Sequence, residues 1–368
     1  MKMRADSGKE LGIELLRLLC MLMIVSLHVL SGSGGGGVLT CSEPLSANWY
    51  TAWIWESIAL QAVNCFGIIS GYVQSRKRDL SWSIRKFAQF CIYIFLMNLA
   101  VSLICCSVGW SGFTLRGLIY CLPWKSSLWY VQAYLQLILL IPLLNLAIER
   151  ITIDRKHLLL ICAGGLLSLI GPLLFQSDYV LLKNGYSAVW LSALYLIGGI
   201  LKKGSAEGAF KPRAVKLIVL GVLFCALAFL SKLIPEAVHY NRSGEYSPFG
   251  QFFVYISPFV LLTAVCTFLL FSKIKRTAPN WLVLISNASL GVYVIHKHPV
   301  INARFVANAS NSFALLPTSA MCAKTAFLIF GVFFGSLLAS IPITFLCNKI
   351  SGMIIAPVSK KPEAGRRP

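Results

Sequence analysis

The sequence predicts an all-α integral membrane protein of about ten transmembrane helices with both termini in the cytoplasm. Three observations carry that prediction. Of the 368 residues, 57% are hydrophobic and only 12% charged. The apolar residues fall into separated runs, most of them long enough for a hydrocarbon core of about 30 Å. Lys and Arg crowd into alternate connections between those runs. A mean hydropathy of +0.74 excludes an ordinary soluble globule. The formal charge of +20 comes from 33 Lys and Arg set against 13 acids. Because the basic residues cluster between apolar runs, no nucleic-acid partner is expected.

In chain order the runs lie near residues 11–31, 53–73, 87–107, 128–148, 158–176, 187–201, 214–234, 251–271, 281–301 and 325–347. The N-terminus, the connections after the second, fourth, sixth and eighth runs, and the tail hold 24 basic residues. The other connections and adjoining run ends hold 8. That bias puts both ends inside and requires an even number of spans. The first run follows a basic stretch as a secretory signal would. Arg17 and His28 interrupt it, however, and nine further runs need an anchor, so retention is expected. Residues 1–350 therefore read as one membrane domain and 351–368 as a short basic cytoplasmic tail. The stretch SGSGGGG after the first run reads as a flexible loop, with close backbone approach as the alternative. The 12 cysteines show no C-x-x-C pair and nearly all fall within runs, as small buried hydrophobes; no metal is expected.

Within the first run, LGIELLRLLCMLMIVSLHVL, Arg17 and His28 are eleven residues apart. Eleven steps of a helix make almost three full turns, so both side chains share one face, about 16 Å apart along the axis. An arginine mid-membrane costs on the order of 2.5 kcal/mol or more, and such groups face protein or a watery cavity. Glu14 precedes Arg17 by three residues and can pair with it, as a neutralising partner or as part of a site. Arg17 is placed to meet phosphates or amides of a ligand entering from the cytoplasm, or to snorkel to headgroups. His28 is either a satisfied structural imidazole or a proton acceptor.

Later runs add fewer polar groups. The second ends in VNCFGIISGYVQSRKR, where Asn64, Ser70 and Gly71 bring hydrogen-bonding groups and a small residue; helix packing alone also explains them. Arg76, Lys77 and Arg78 are topogenic charges or a grip on donor phosphates. Trp129 and Tyr130 open the fourth run at the outer interface, where aromatic belts form and sugars also stack. The ninth run carries Asn287, Ser289, Tyr293, His296 and His298. His296 and His298 are two apart and share no helix face, which argues against joint metal ligation, and His298 is expected at the interface.

These stretches resemble the acyltransferase 3 family, in particular its surface-polysaccharide and enterobacterial-common-antigen O-acetyltransferase branch. The matching pieces are IELLRLLCMLMIVSLHVL, VNCFGIISGYV, LWYVQAYLQLILLIPLLN, WLSALYLIGGILKK and ISNASLGVYVIHKHP, in family order along the chain. The resemblance implies transfer of an acyl group, most often acetyl, from cytoplasmic acyl-CoA to a hydroxyl of an extracytoplasmic or lipid-linked glycan, in a bacterial inner or plasma membrane. It gives His28 the essential histidine role and Arg17 the donor-binding role. Around them the expected donor side is Glu14, Ser70 and Arg76; the expected acceptor side is Trp129, Tyr130, Asn64, Tyr293 and His296. Acetyl-CoA is a co-substrate and no bound cofactor is implied. Membrane lipids are the remaining partners, and self-association stays open. The competing classes are a carrier or flippase of lipid-linked sugars and a glycan polymerase or ligase; neither consumes an acyl-CoA.

Overall fold

The computed structural model describes residues 8–33, 36–112, 114–125, 128–151, 181–207, 212–245 and 252–355, with 169, 173 and 178. Among these the only β pairing is one isolated bridge between Glu10 and Thr277; all other regular structure is helical. Six stretches among the described residues are long and apolar enough to cross a bilayer. They are α1 (Leu11–Leu30), a bent pair made of α3 (Ala47–Ala59) and α4 (Ala62–Gln74), α5 (Leu80–Ser107), α7 (Trp129–Arg150), α9 (Ala214–Ser243), and most of α14 (Thr318–Ile355). The short α2 (Gly37–Cys41) and α6 (Leu115–Tyr120) lie in connections.

Three further expected runs are helical but shorter or broken. The run at 187–201 lies in α8 (Ala188–Ala206), which ends in a basic segment with Lys202 and Lys203. That at 251–271 is helical only as α10 (Pro258–Phe271), which starts at a proline because its first N–H needs no helical acceptor. The run at 281–301 divides into α11 (Asn280–Asn287), α12 (Ser289–Lys297) and α13 (Pro299–Phe305). The break at His298 follows from Pro299, which forces the preceding residue to extended backbone, here ψ 131°. The run at 158–176 lies outside the described residues except for Leu169 and Leu173. The last helix continues to Ile355, past the expected tail boundary; residues 356–368 lie outside the description.

α1 sits at the centre, packed against α3, α4, α10, α11, α12 and α14. Its Leu16, Cys20, Val25 and Val29 are completely buried in the main apolar cluster. Inside a bilayer such contacts are held by close packing rather than by release of water, so small residues matter at helix crossings. Gly71 of α4 lies against the Tyr195 carbonyl of α8, and Gly198 of α8 lies against the Ile68 carbonyl of α4; a Cβ at either would collide with backbone. Within the glycine stretch expected as a flexible loop, the described Gly36 and Gly37 are docked against Asn308 and Asn311. Gly37, at φ +77°, donates its N–H to the Asn311 side chain, and a Cβ on Gly36 would strike the Asn308 and Asn311 side chains.

Candidate active site

Beside α1 runs a cavity of about 600 Å³, walled by α4, α5, α7, α11, α12 and α14. α1 contributes Arg17, Met21, Ile24 and His28, spaced four, three and four residues apart, which is one stripe of a helix. Arg17 and His28 therefore stand at the two ends of the cavity, about 16 Å apart. The Arg17 end is polar, with Gln74 from α4, Lys86 and Gln89 from α5, and Asn348 and Ser351 from α14. The His28 end is aromatic. Trp129 stacks with Tyr255 at 6.1 Å between ring centres, Tyr130 meets Tyr293 edge-on at 6.4 Å, and Tyr293 stacks with His28 at 6.3 Å.

Arg17 donates from Nη1 to both carboxylate oxygens of Glu14, at 3.0 and 3.2 Å. Glu14 is only 2% exposed and faces away from the cavity, so it anchors the guanidinium from behind while the rest of that group stays available to a ligand. The three-residue spacing read from the sequence is what brings the two together.

At the other end His28 Nδ1 lies 2.8 Å from His296 Nε2, and His296 Nδ1 lies 2.6 Å from the Val292 carbonyl oxygen. A carbonyl only accepts, so His296 Nδ1 carries the proton and donates. With His296 neutral, its Nε2 is then an acceptor, and His28 Nδ1 must be the donor. The lone pair of His28 is thereby fixed on Nε2, on the ring edge away from His296. A neutral imidazole held in one tautomer, with its basic nitrogen directed away from its hydrogen-bond partner, is chemically able to accept a proton at that nitrogen.

Of the residues singled out in the sequence, Arg17, His28, Ser70, Trp129, Tyr130, Asn287, Ser289 and Tyr293 line this one cavity. Glu14 and His296 stand behind its wall, each bonded to a lining residue. His296 is wholly buried with both ring nitrogens engaged, and it meets the cavity lining through His28 and through Tyr293, whose ring it faces edge-on at 5.9 Å. Asn64 likewise lies off the cavity lining. It is completely buried, donates to the Tyr255 carbonyl at 2.8 Å and accepts from Trp190 Nε1 at 2.9 Å, so its amide is spent on joining α4 to α8 and to the segment before α10. Arg76 is exposed and outside the cavity; its contribution is a carbonyl that accepts from Asn145 at 2.7 Å. His298 is buried in the protein, with Nε2 3.0 Å from the Ser102 hydroxyl.

Several lining groups escaped the sequence reading. Thr344, Asn348 and Ser351 lie four and three residues apart, a polar stripe within α14 that helical spacing would have exposed. Lys86 precedes the apolar run at 87–107 and so reads as a connection charge, but α5 begins at Leu80 and carries it into the wall. Tyr134 and Tyr255 gave no signal beyond being aromatic in apolar surroundings.

Residues 10–346 match the acyltransferase 3 family model, described as an acyltransferase domain. No curated protein and no solved structure matches the chain.

Proposed function

The chain belongs to the acyltransferase 3 family, and from that membership we propose that it is a membrane O-acyltransferase. It moves an acetyl group from cytoplasmic acetyl-CoA to a hydroxyl of a surface or lipid-linked glycan, across a bacterial inner membrane. Family membership favours this over a carrier or a glycan polymerase. The observation that carries the finer reading is one cavity with an anchored guanidinium at one end and a tautomer-fixed imidazole at the other.

In this reading the donor's pantetheine arm lies along the α1 stripe, with its phosphates toward Arg17 and its thioester beside His28. Glu14 and Ser70 support that side, Glu14 through Arg17. His28 Nε2 takes the proton of the acceptor hydroxyl as its oxygen attacks the thioester carbon. The carbon–sulfur bond then breaks and the imidazolium returns its proton to the departing thiolate, so no proton is gained or lost overall. Throughout, His28 Nδ1 keeps donating to His296, whose lone pair favours the transient imidazolium. Trp129 offers a ring face to a sugar. The hydroxyls of Tyr130 and Tyr293 are the donors in reach of the developing oxyanion once Asn64 and His296 are committed elsewhere.

The test is turnover of acetyl-CoA by detergent-purified protein, with labelled acetyl followed into a lipid-linked glycan fraction. His28→Ala is expected to lower kcat by about a hundredfold or more, and Arg17→Ala chiefly to raise the donor KM. A folded His28→Ala protein with wild-type turnover would sink the assignment of the base. Wild-type protein inert toward acyl-CoA but moving an unmodified lipid-linked sugar would return the carrier hypothesis.

A further inference from the structure

The His28 end of the bundle holds a polar seam that the reading above leaves unused. α3 starts at the end where α1 finishes, and its Trp49, Trp53 and Glu56 follow at steps of four and three residues, one stripe of the helix. Along that stripe the Trp49 Nε1, Trp53 Nε1 and Glu56 Oε2 atoms are buried and find no hydrogen-bond partner among the described residues. Trp49 is wholly buried and Glu56 only 9% exposed. Lys232 of α9 lies 4.7 Å over the Trp53 ring, but its ammonium is engaged by Glu236 Oε2 at 2.8 Å. Two N–H donors and a carboxylate oxygen left unmatched side by side are costly in such apolar surroundings, and a ligand that completed them would recover that cost.

The seam adjoins the aromatic end of the cavity. The Glu56 carboxylate is close enough to act electrostatically on the hydroxyls of Tyr186 and Tyr255. Tyr255 lines the cavity, and Tyr186, 48% exposed, lies 5.0 Å from the Tyr255 ring and 4.7 Å from Trp129 between centres. A sugar hydroxyl donates and accepts at once, and the C–H face of a sugar ring packs on an indole, so a sugar supplies what the N–H groups and the carboxylate lack. An acidic sugar would set its own carboxylate against Glu56, which leaves a neutral ring. We propose that Trp49, Trp53 and Glu56 form a second sugar subsite, which takes the neutral ring next to the one that carries the acylated hydroxyl. The choice of occupant rests on the glycan-acceptor reading.

Binding of glucose, cellobiose and cellobiouronic acid is measured on protein in phosphatidylcholine nanodiscs, for wild type, Glu56→Leu, Glu56→Gln and Trp53→Phe, with the indole nitrogen-15 resonances of Trp49 and Trp53 followed alongside. Cellobiose is expected to shift both indole resonances in wild type. Loss of one hydrogen bond should weaken cellobiose about tenfold in Glu56→Leu and in Trp53→Phe, and leave glucose within about twofold. Glu56→Gln keeps an oxygen acceptor and regains part of the loss. Glu56→Leu removes a buried polar group that lacks a partner, so its melting temperature should not fall, which separates loss of contact from loss of fold. Indole resonances that ignore cellobiose, equal losses for both neutral sugars, no loss for either, or no binding by wild type overturn the subsite and leave the seam to internal water. Tighter binding of cellobiouronic acid than of cellobiose overturns the neutral ring. If cellobiose binds as expected but the protein turns over no acetyl-CoA, the subsite stands and the acyl-transfer reading fails by itself.

Discussion

Replacing His296 tests the proposed proton geometry more sharply than replacing His28, because in that proposal His296 acts through its hydrogen bond to His28. In His296→Ala the acceptor 2.8 Å from His28 Nδ1 disappears. The His28 ring then has no partner to choose between its two neutral tautomers or to fix its plane, and a half-buried donor is left without an acceptor. A buried polar group left unpaired costs about 1–3 kcal/mol. If that cost falls on the transition state, where Nδ1–H must carry more positive charge, kcat drops by roughly 5- to 150-fold at about 1.4 kcal/mol per decade. The donor KM should barely move, since Arg17 lies about 16 Å away along α1. His296→Gln can present an amide oxygen to Nδ1–H and should recover most of the rate. The assay is steady-state acetyl transfer by the three proteins, with nitrogen-15 chemical shifts of His28 to report its tautomer. The reasoning fails if His296→Ala stays within about twofold of wild type. It fails equally if the glutamine variant is as slow as alanine, or if the shifts place the His28 proton on Nε2.

Other consequences follow from the same contacts. Arg17→Gln leaves Glu14 buried without its cation, a loss of about 3–5 kcal/mol, so the melting temperature should fall and then recover in part when Glu14→Gln is added, while the donor KM stays raised in both. Gly71→Ala drives a Cβ into the Tyr195 carbonyl and should destabilise by about 1–3 kcal/mol. Ser70→Ala, whose hydroxyl donates to the Phe66 carbonyl of its own helix at 2.9 Å, should lower stability by less than about 1 kcal/mol. Outside the membrane, Asp79 accepts from the Ser81 hydroxyl and the Trp82 N–H, which hold its carboxyl below the usual range. A carboxyl depressed in the folded state stabilises above its unfolded pKa, and that contribution is lost as pH falls through the folded value. Thermal melts between neutral and acid pH should therefore lose this component in Asp79→Asn.

What the sequence made legible follows from how each feature depends on spacing. Arg17, His28 and Glu14 lie on one helix, so helical periodicity alone places them, and the structure puts them where that periodicity requires. Ser70, Trp129, Tyr130 and Tyr293 come from other helices, and composition marked them as polar or aromatic groups in apolar runs without saying which of them meet. Asn64 and His296 looked alike by that criterion and are used differently. Asn64 holds helices together, whereas His296 orients another side chain, and only the partners of their polar atoms tell these apart. The run at 281–301 reads as one span because its hydropathy is continuous, yet Pro299 announces the second of the breaks that divide Asn280 to Phe305.

That break has a further consequence for the site. α12 is only nine residues long, and His296 lies near its C-terminal end, so its Nδ1 reaches back one turn to Val292 within the same short helix. The junction before α12, at Ala288, is tied to α14 by the Ser340 hydroxyl, which donates to the Ala288 carbonyl at 2.8 Å. On the far side, Asn302 of α13 donates to the His296 carbonyl at 3.3 Å and to Ser33 beyond the end of α1 at 2.7 Å. His296 is thus held from both ends of its helix while its ring is held by its own backbone. A long continuous helix would tie its position to packing along the whole bilayer. A short one clamped to α14 and to the end of α1 sets it against the one helix that carries His28, which is what a 2.8 Å contact between two imidazoles requires.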